Sequence, residues 1–295
     1  MSARNLQYIF DAIGTHWVLD AYGVPESVDE AHLYTHIVKC ITDYDAYYSR
    51  FIPTSFISHI ADTPGTYTLR EDARPMIELY KKLYDITNGA VTPLIGTVLE
   101  EAGYDATYSL QPKKMHHPKK WEEVFSARDP LSLTTEGRVV IDVGAAGKGY
   151  LVDIVATLMQ RHGIVAFSID AGGDILYVHP DGEPLVVGLE NPHATDEVIG
   201  TVRVHNNSLC ASAGSRRAWG EHHHVFNPHT LRSVSDVVAT WALADSALFA
   251  DGLATALFFV TPDLLSTHFS FEYLVLMQDG SYKKSAGFPG EVFSA

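Results

Sequence analysis

Two oxygen donors stand one helical turn apart in a segment that is otherwise apolar. Asp251 and Thr255 lie at i and i+4 in Ala250-Asp251-Gly252-Leu253-Ala254-Thr255-Ala256, inside a helix expected over residues 245–260, and that spacing puts both on one face. A carboxylate in so apolar a helix needs a partner. Two hard oxygens one turn apart suit Mg2+. The competing reading is a local cap by Asp251 and back-bonding of Thr255 to its own helix.

A second stretch offers cationic and backbone donors. Residues 138–143 form an apolar, strand-like run that enters Asp142-Val143-Gly144-Ala145-Ala146-Gly147-Lys148-Gly149-Tyr150. Leu151, Ile154, Val155, Leu158 and Met159 then recur at helical spacing, with Gly163 placed as a C-cap. A strand, a glycine turn and a helix start expose backbone N–H groups, and Lys148 adds a charge, so an anion can sit there. The pattern is neither a P-loop nor G-x-G-x-x-G. Asp142 either orients a hydroxyl or amide or pairs with Lys148. Asp170 and Asp174 bracket Gly172-Gly173, and turn stabilisation is the favoured role for Asp174.

The third stretch runs from Ser212-Ala213-Gly214-Ser215-Arg216-Arg217 to His222-His223-His224-Val225-Phe226-Asn227-Pro228-His229-Thr230. His222 and His224 would share a strand face, but no Cys or carboxylate nearby completes a zinc set. A histidine just before an Asn-Pro turn is better suited to general-base work, which makes His224 the candidate.

These residues need elements to hold them. Residues 5–22 read as a strand pair broken at Gly14. Ser27-Val28-Asp29-Glu30 reads as a capping box, after which Leu33, Ile37, Ile41, Tyr44 and Tyr48 follow one helix face. A second helix is expected over 72–86, with Met76, Leu79, Tyr80 and Leu83 inward and Asn88-Gly89 ending it. Residues 102–123 are polar and lysine-rich and read as a solvated surface insertion. Strands are expected at 164–170, 175–178, 184–189, 198–204, 208–212 and 239–243, with a closing hairpin at 274–280. Helices and strands mix without strict alternation. The class is therefore α+β, with two subdomains sharing one core.

Composition narrows the partners. The 295 residues carry a net charge of −15, with 46% hydrophobic and 19% charged, which argues against nucleic acid or an anionic membrane surface. An anionic ligand would need a local cation or a metal. The two cysteines, Cys40 and Cys210, are expected as reduced thiols rather than a disulfide. Residues 1–7 carry no secretory or lipidation pattern and no run approaches a membrane span. A cytoplasmic location is expected.

The three stretches together, in this order, resemble the ApbE family of FAD:protein FMN transferases. Ile13-Gly14-Thr15 is similar to that family's Met-Gly-Thr, and Tyr48-Ser49-Arg50-Phe51-Ile52-Pro53-Thr54-Ser55 to its segment around a Ser-Arg pair. Asn88-Gly89-Ala90-Val91-Thr92-Pro93 resembles its Gly-Ala-Phe-Asp-Pro turn, with Thr92 in place of Asp. Residues 142–153 resemble its Asp-x-Gly-x-x-Ala-Lys-Gly-Tyr-x-x-Asp, 169–175 its Gly-Gly-Asp turn, and 250–256 its Ala-Asp-x-x-Ala/Ser-Thr-Ala. In its His-x-x-Asp-Pro-x-Thr-Gly, Asn227 replaces the acid and Leu231 the glycine.

The resemblance implies one ApbE-like domain over residues 5–280, T-fold-like and largely antiparallel, with 281–295 as a C-terminal tail. It also implies FAD as substrate and Mg2+ held by Asp251, Thr255 and the carbonyl of Ala145. Lys148 would be a second cation at the phosphates, and Asp142 would hold the flavin portion. Ile13, Ala90, Val91, Thr92 and Val225 would line the pocket, and His224 would take a proton from a Ser or Thr of a flavin-acceptor protein. FAD hydrolysis to FMN and AMP, or flavin binding without chemistry, are the alternatives.

Overall fold

The computed structural model describes residues 4–293, so the first three residues of the N-terminal stretch read above lie outside it. Eight antiparallel strands form the central sheet, in the order Arg4–Ala12, Thr15–Val24, Ala166–Ala171, Asp174–Val178, Asn207–Ala213, Val237–Ala244, Glu272–Met277 and Tyr282–Lys284. Side chains alternate between its faces. Cys210, Ala242, Ala244 and Val275 join the main core with the helices Glu30–Tyr48, Arg74–Ile86, Gly147–Arg161 and Ala247–Ala256. Leu209, Trp241, Leu243 and Leu274 face a second core, closed by the three-stranded sheet of Leu185–Asn191, Ala194–Val204 and Gly290–Val292. Both faces are covered there, which is why the strand at 237–244 is apolar almost throughout.

Several expected elements form with the expected faces. The Glu30–Tyr48 helix buries Leu33, Ile37, Ile41, Tyr44 and Tyr48. Its N-cap differs: Asp29, not Ser27, caps it by accepting from the N–H of His32 at 3.0 Å. The Arg74–Ile86 helix buries Met76, Leu79, Tyr80 and Leu83, and it stops at Asn88 and Gly89, both left-handed with φ of 51° and 84°. The first hairpin turns at Ile13 and Gly14, with φ of 46° and 73°. Two positive φ values in a two-residue turn match the right-handed twist of the strands. At Ile13 that conformation costs a β-branched residue strain.

Three segments differ from the reading. Residues 138–143 form no strand, although Val139, Val140 and Ile141 are buried. The run is held by packing on Gly96, where a Cβ would lie 2.5 Å from the Val140 carbonyl oxygen, and by the Asp142 N–H donating to the Pro93 carbonyl at 2.7 Å. Burial without a ladder leaves the same apolar pattern in sequence. Residues 102–123 expose their lysines, yet Tyr104 and Trp121 are buried. Tyr104 packs with Trp219 and Phe226 in a third core cluster. Residues 281–293 contain two short strands: Tyr282–Lys284 pairs with Glu272–Met277, and Gly290–Val292 pairs with Ala194–Val204. Among the described residues no helix is long and apolar enough to cross a membrane.

The helices Gly147–Arg161 and Ala247–Ala256 meet at Gly149. A Cβ there would collide with the carbonyl oxygen of Ala247 and lie 2.7 Å from Asp251 Cβ. Because the obstacle is backbone, Gly149→Ala is expected to cost about 1–3 kcal/mol. A denaturant midpoint equal to that of the parent protein would contradict this contact.

Candidate active site

The same two helices are stitched together by carboxylates. Asp153, on the first, accepts from the N–H groups of Ala247 and Leu248, both at 2.9 Å. It thereby satisfies two of the donors that open the second helix, alongside the Ser246 cap. In return Asp251 Oδ2 accepts from the Gly149 N–H at 2.9 Å. That seats Asp251, 5% exposed, beside the glycine turn. The Thr255 hydroxyl donates to the Ala145 carbonyl oxygen at 3.3 Å. The Tyr80 hydroxyl fixes the loop by accepting from the Ala145 N–H at 3.1 Å, and Tyr44 donates to the Gly147 carbonyl at 2.8 Å.

Lys148 pairs with one buried acid and feels the charge of a second. Its Nζ is 2.5 Å from Asp174 Oδ2, so its partner is Asp174, and Asp142 pairs elsewhere. Asp174 is fully buried and neither carboxylate oxygen has a well-aligned hydrogen-bond donor; the contact with Lys148 is charge at close range. The turn role assigned to Asp174 belongs to Asp170, whose Oδ1 accepts from the Gly173 N–H at 2.8 Å. Burial disfavours the charge on Lys148, but Asp174 and Asp251 outweigh it and hold the ammonium above its ordinary value. Asp251 moves well above the carboxylate range, through burial and then the charge of Asp174, against the pull of Lys148. Two buried acids thus share the charge of one lysine.

Asp142 pairs with Arg50 at 2.5 Å. Arg50 Nη1 donates to the Tyr104 carbonyl at 2.8 Å, and the guanidinium lies 4.2 Å from the Phe51 ring centroid and 4.9 Å from that of Tyr104. The other carboxylate oxygen of Asp142 accepts from the Gly144 N–H at 2.7 Å. Burial raises the carboxyl, but Arg50 and this N–H overcome it and keep Asp142 below the usual range. In the sequence Arg50 belongs to the segment that resembles the family's Ser-Arg pair, with no sign of its pairing to Asp142. A single arginine beside Tyr48 and Phe51 was the available signal, because aromatic faces are where a buried guanidinium is held.

All eleven residues expected at the site line one cavity of about 410 Å³: Ile13, Ala90, Val91, Thr92, Asp142, Ala145, Lys148, His224, Val225, Asp251 and Thr255. A volume of this order is ordinary for a small-molecule site. Arg216, Arg217 and Glu190 stand at the same cavity, with Arg216 and Glu190 paired at 2.5 Å. The His224 N–H donates to the Arg217 carbonyl at 3.1 Å, and its Nδ1 is buried with no partner. Burial, with Arg217 and His223 beside it, pushes the imidazole down to about 4. His223 is tied to the Val234 carbonyl oxygen at 2.7 Å, and His222 packs on Trp219 and Phe226. Among the described residues no group of three or more His, Cys, Asp or Glu side chains is placed to hold a metal ion.

The departures from the motifs have local roles. Asn227 Oδ1 accepts from the N–H groups of His229 and Thr230, at 2.8 and 3.3 Å, and so builds the turn. Thr92 Oγ1 accepts from the Leu94 N–H at 3.2 Å and caps a short 3-10 turn. Leu231 adopts a φ of 54°, a conformation made for glycine.

The sequence profile of the ApbE family matches residues 13–269. This chain belongs to the ApbE family. Similar curated proteins include the FAD:protein FMN transferase of Vibrio cholerae, 23% identical over 83% of this chain and 78% of its own length. That of Klebsiella pneumoniae is 22% identical over 85% and 77%. Among solved structures, the ApbE protein of Thermotoga maritima superposes with a TM-score of 0.84 at 20% identity, covering 96% of this chain and 97% of its own. The flavin transferase ApbE of Vibrio cholerae superposes at 0.80 with 19% identity, covering 96% and 97%. The mixed, antiparallel ApbE fold is therefore that of this chain.

His224 gives a pH test with a definite sign. The folded imidazole titrates at about 4, below the ordinary value near 6.5. Between those values the unfolded chain carries a proton that the folded chain lacks, so stability falls as pH drops from about 6.5 toward about 4. His224→Gln should flatten that part of the stability profile, read from urea midpoints across the window. An unchanged slope would mean that His224 titrates normally.

Proposed function

We propose that this protein is a Mg2+-dependent FAD:protein FMN transferase, attaching FMN through a phosphoester to a Ser or Thr of a partner protein and releasing AMP. The observation that carries the reading is the meeting of Asp251, the Thr255 hydroxyl and the Ala145 carbonyl at one cavity where two buried acids share the charge of one lysine. The names of the related proteins agree with it.

The donor set fits a hard divalent cation. One carboxylate, one hydroxyl and one carbonyl leave positions for phosphate oxygens and water, as Mg2+ prefers. Asp251, Thr255 and the Ala145 carbonyl would hold such an ion, which would supply charge neutralisation at the diphosphate.

The chain's own groups do the rest. Lys148 gives a fixed positive charge beside the phosphates. Arg50 locks Asp142, so that its carboxylate stays ionised and oriented as an acceptor toward the flavin portion. Ile13, Ala90, Val91, Thr92 and Val225 form the walls that hold the ring system away from water.

His224 is neutral and has an unpartnered ring nitrogen, so it can take the proton of an acceptor hydroxyl. The hydroxyl oxygen bonds to the FMN phosphorus while the bond from that phosphorus to the bridging oxygen breaks, and AMP departs with that oxygen. A bound diphosphate raises the basicity of His224, because its charge opposes the effect of Arg217.

Thr92 and Asn227, which stand where the family's motifs have acids, each cap a local turn. Two unbridged cysteines and an acid-rich chain favour a cytoplasmic setting.

Incubation with FAD, Mg2+ and a flavin-acceptor domain is expected to put covalent flavin fluorescence on the acceptor. AMP release without labelling would mean hydrolysis, and neither product would mean a carrier. Asp251→Ala should abolish labelling, and His224→Ala should slow it by about 10²–10⁴-fold. Normal turnover in either variant removes the corresponding role.

A further inference from the structure

Away from the cavity, three histidines from two helices converge on the surface. His32 and His36 are one turn apart on the Glu30–Tyr48 helix, and their ring centroids are 4.0 Å apart. His162, the C-cap of the Gly147–Arg161 helix, brings its ring within 5.9 Å of His32 and 5.4 Å of His36. His36 Nδ1 and His162 Nε2 are 3.3 Å apart. Two imidazole nitrogens bound at about 2.0–2.1 Å to a tetrahedral ion stand roughly 3.3–3.4 Å from each other.

We propose that His32, His36 and His162 form a second metal site, for a borderline transition ion such as Zn2+, Ni2+ or Cu2+, which ties the two helices together at the surface. Imidazole selects such ions over Mg2+, so this site and the oxygen-lined cavity take different metals.

As the side chains stand, no three of the described His, Cys, Asp or Glu residues, these rings included, are placed to hold an ion together, so binding requires His32 to turn. One pair already has the spacing of two ligands, and His32 is exposed, so its ring can turn at small cost. A hydrogen bond between neutral rings would explain the His36–His162 pair alone. It leaves unexplained why a third imidazole is packed against them.

A metal binds imidazole in its neutral form. The net charge of −15 draws cations to the surface.

The two helices also frame the active site, through the Tyr44 hydroxyl bound to the Gly147 carbonyl. A metal across their other shared end would restrain that packing.

The test uses the full, untagged chain. Micromolar Zn2+ should raise the thermal midpoint where the same concentration of Mg2+ does not. The rise should disappear in His36→Gln and in His162→Gln, and persist in His223→Gln. Ni2+ should broaden the ring NMR signals of His32, His36 and His162 before those of the other histidines, a readout that needs no variant. A midpoint rise that survives both substitutions, an equal response to Mg2+, or no selective broadening overturns the site. None of these outcomes depends on flavin transfer.

Discussion

A surplus of buried negative charge is the constraint that shapes this molecule. Asp174 is sealed from water and Asp251 nearly so, and Lys148 is the cation whose charge they share. Isolated carboxylates in such a place would take up protons rather than remain ionised. The helix that carries Asp251 is almost wholly apolar because it must pack against both the sheet and its neighbouring helix. The acid is tolerated because the Gly149 N–H points at it. That N–H is within reach only because residue 149 has no side chain and lets the two helices touch.

A second charged pair, Arg50 with Asp142, works by a different device. Asp142 has its own N–H from the glycine turn, and Arg50 is clasped between two aromatic rings while it binds a carbonyl. Here the balance favours ionisation, whereas at Asp251 it favours the neutral acid. The contrast follows from what surrounds each carboxylate: a full guanidinium with matched donors in one case, a second acid and a shared ammonium in the other. One cavity therefore holds an acid kept charged by its arginine and an acid that its surroundings keep neutral.

Much of this was legible in the sequence where periodicity is strong. The inward faces of the Glu30–Tyr48 and Arg74–Ile86 helices followed from 3.6-residue spacing, and the first hairpin from its Ile-Gly break. The residues of the site were legible as motifs, and the fold gathers them at one cavity. What was hidden is pairing across long sequence separations. Nothing near Asp142 points to Arg50, 92 positions away. Lys148 was offered a nearby acid and took Asp174 instead, because the strand turn brings that carboxylate under the helix start. Residues 138–143 misled for a simpler reason: apolar character reports burial and says nothing of whether a neighbouring strand supplies hydrogen bonds. The tail at 281–293 is polar enough to look free, yet its backbone completes two sheets.

The cavity walls come from residue 13 in the first hairpin, residue 50 after the first long helix, the turn at 90–92, the central loop, the strand turn at 224–225 and the helix at 251–255. No contiguous half of the polypeptide owns enough of them to grip a nucleotide. Affinity for one is then a property of the assembled whole, and each bound molecule lends its free energy to every element at once. Occupancy is in effect a gauge of complete folding, and a partly formed chain has nothing with which to begin the chemistry.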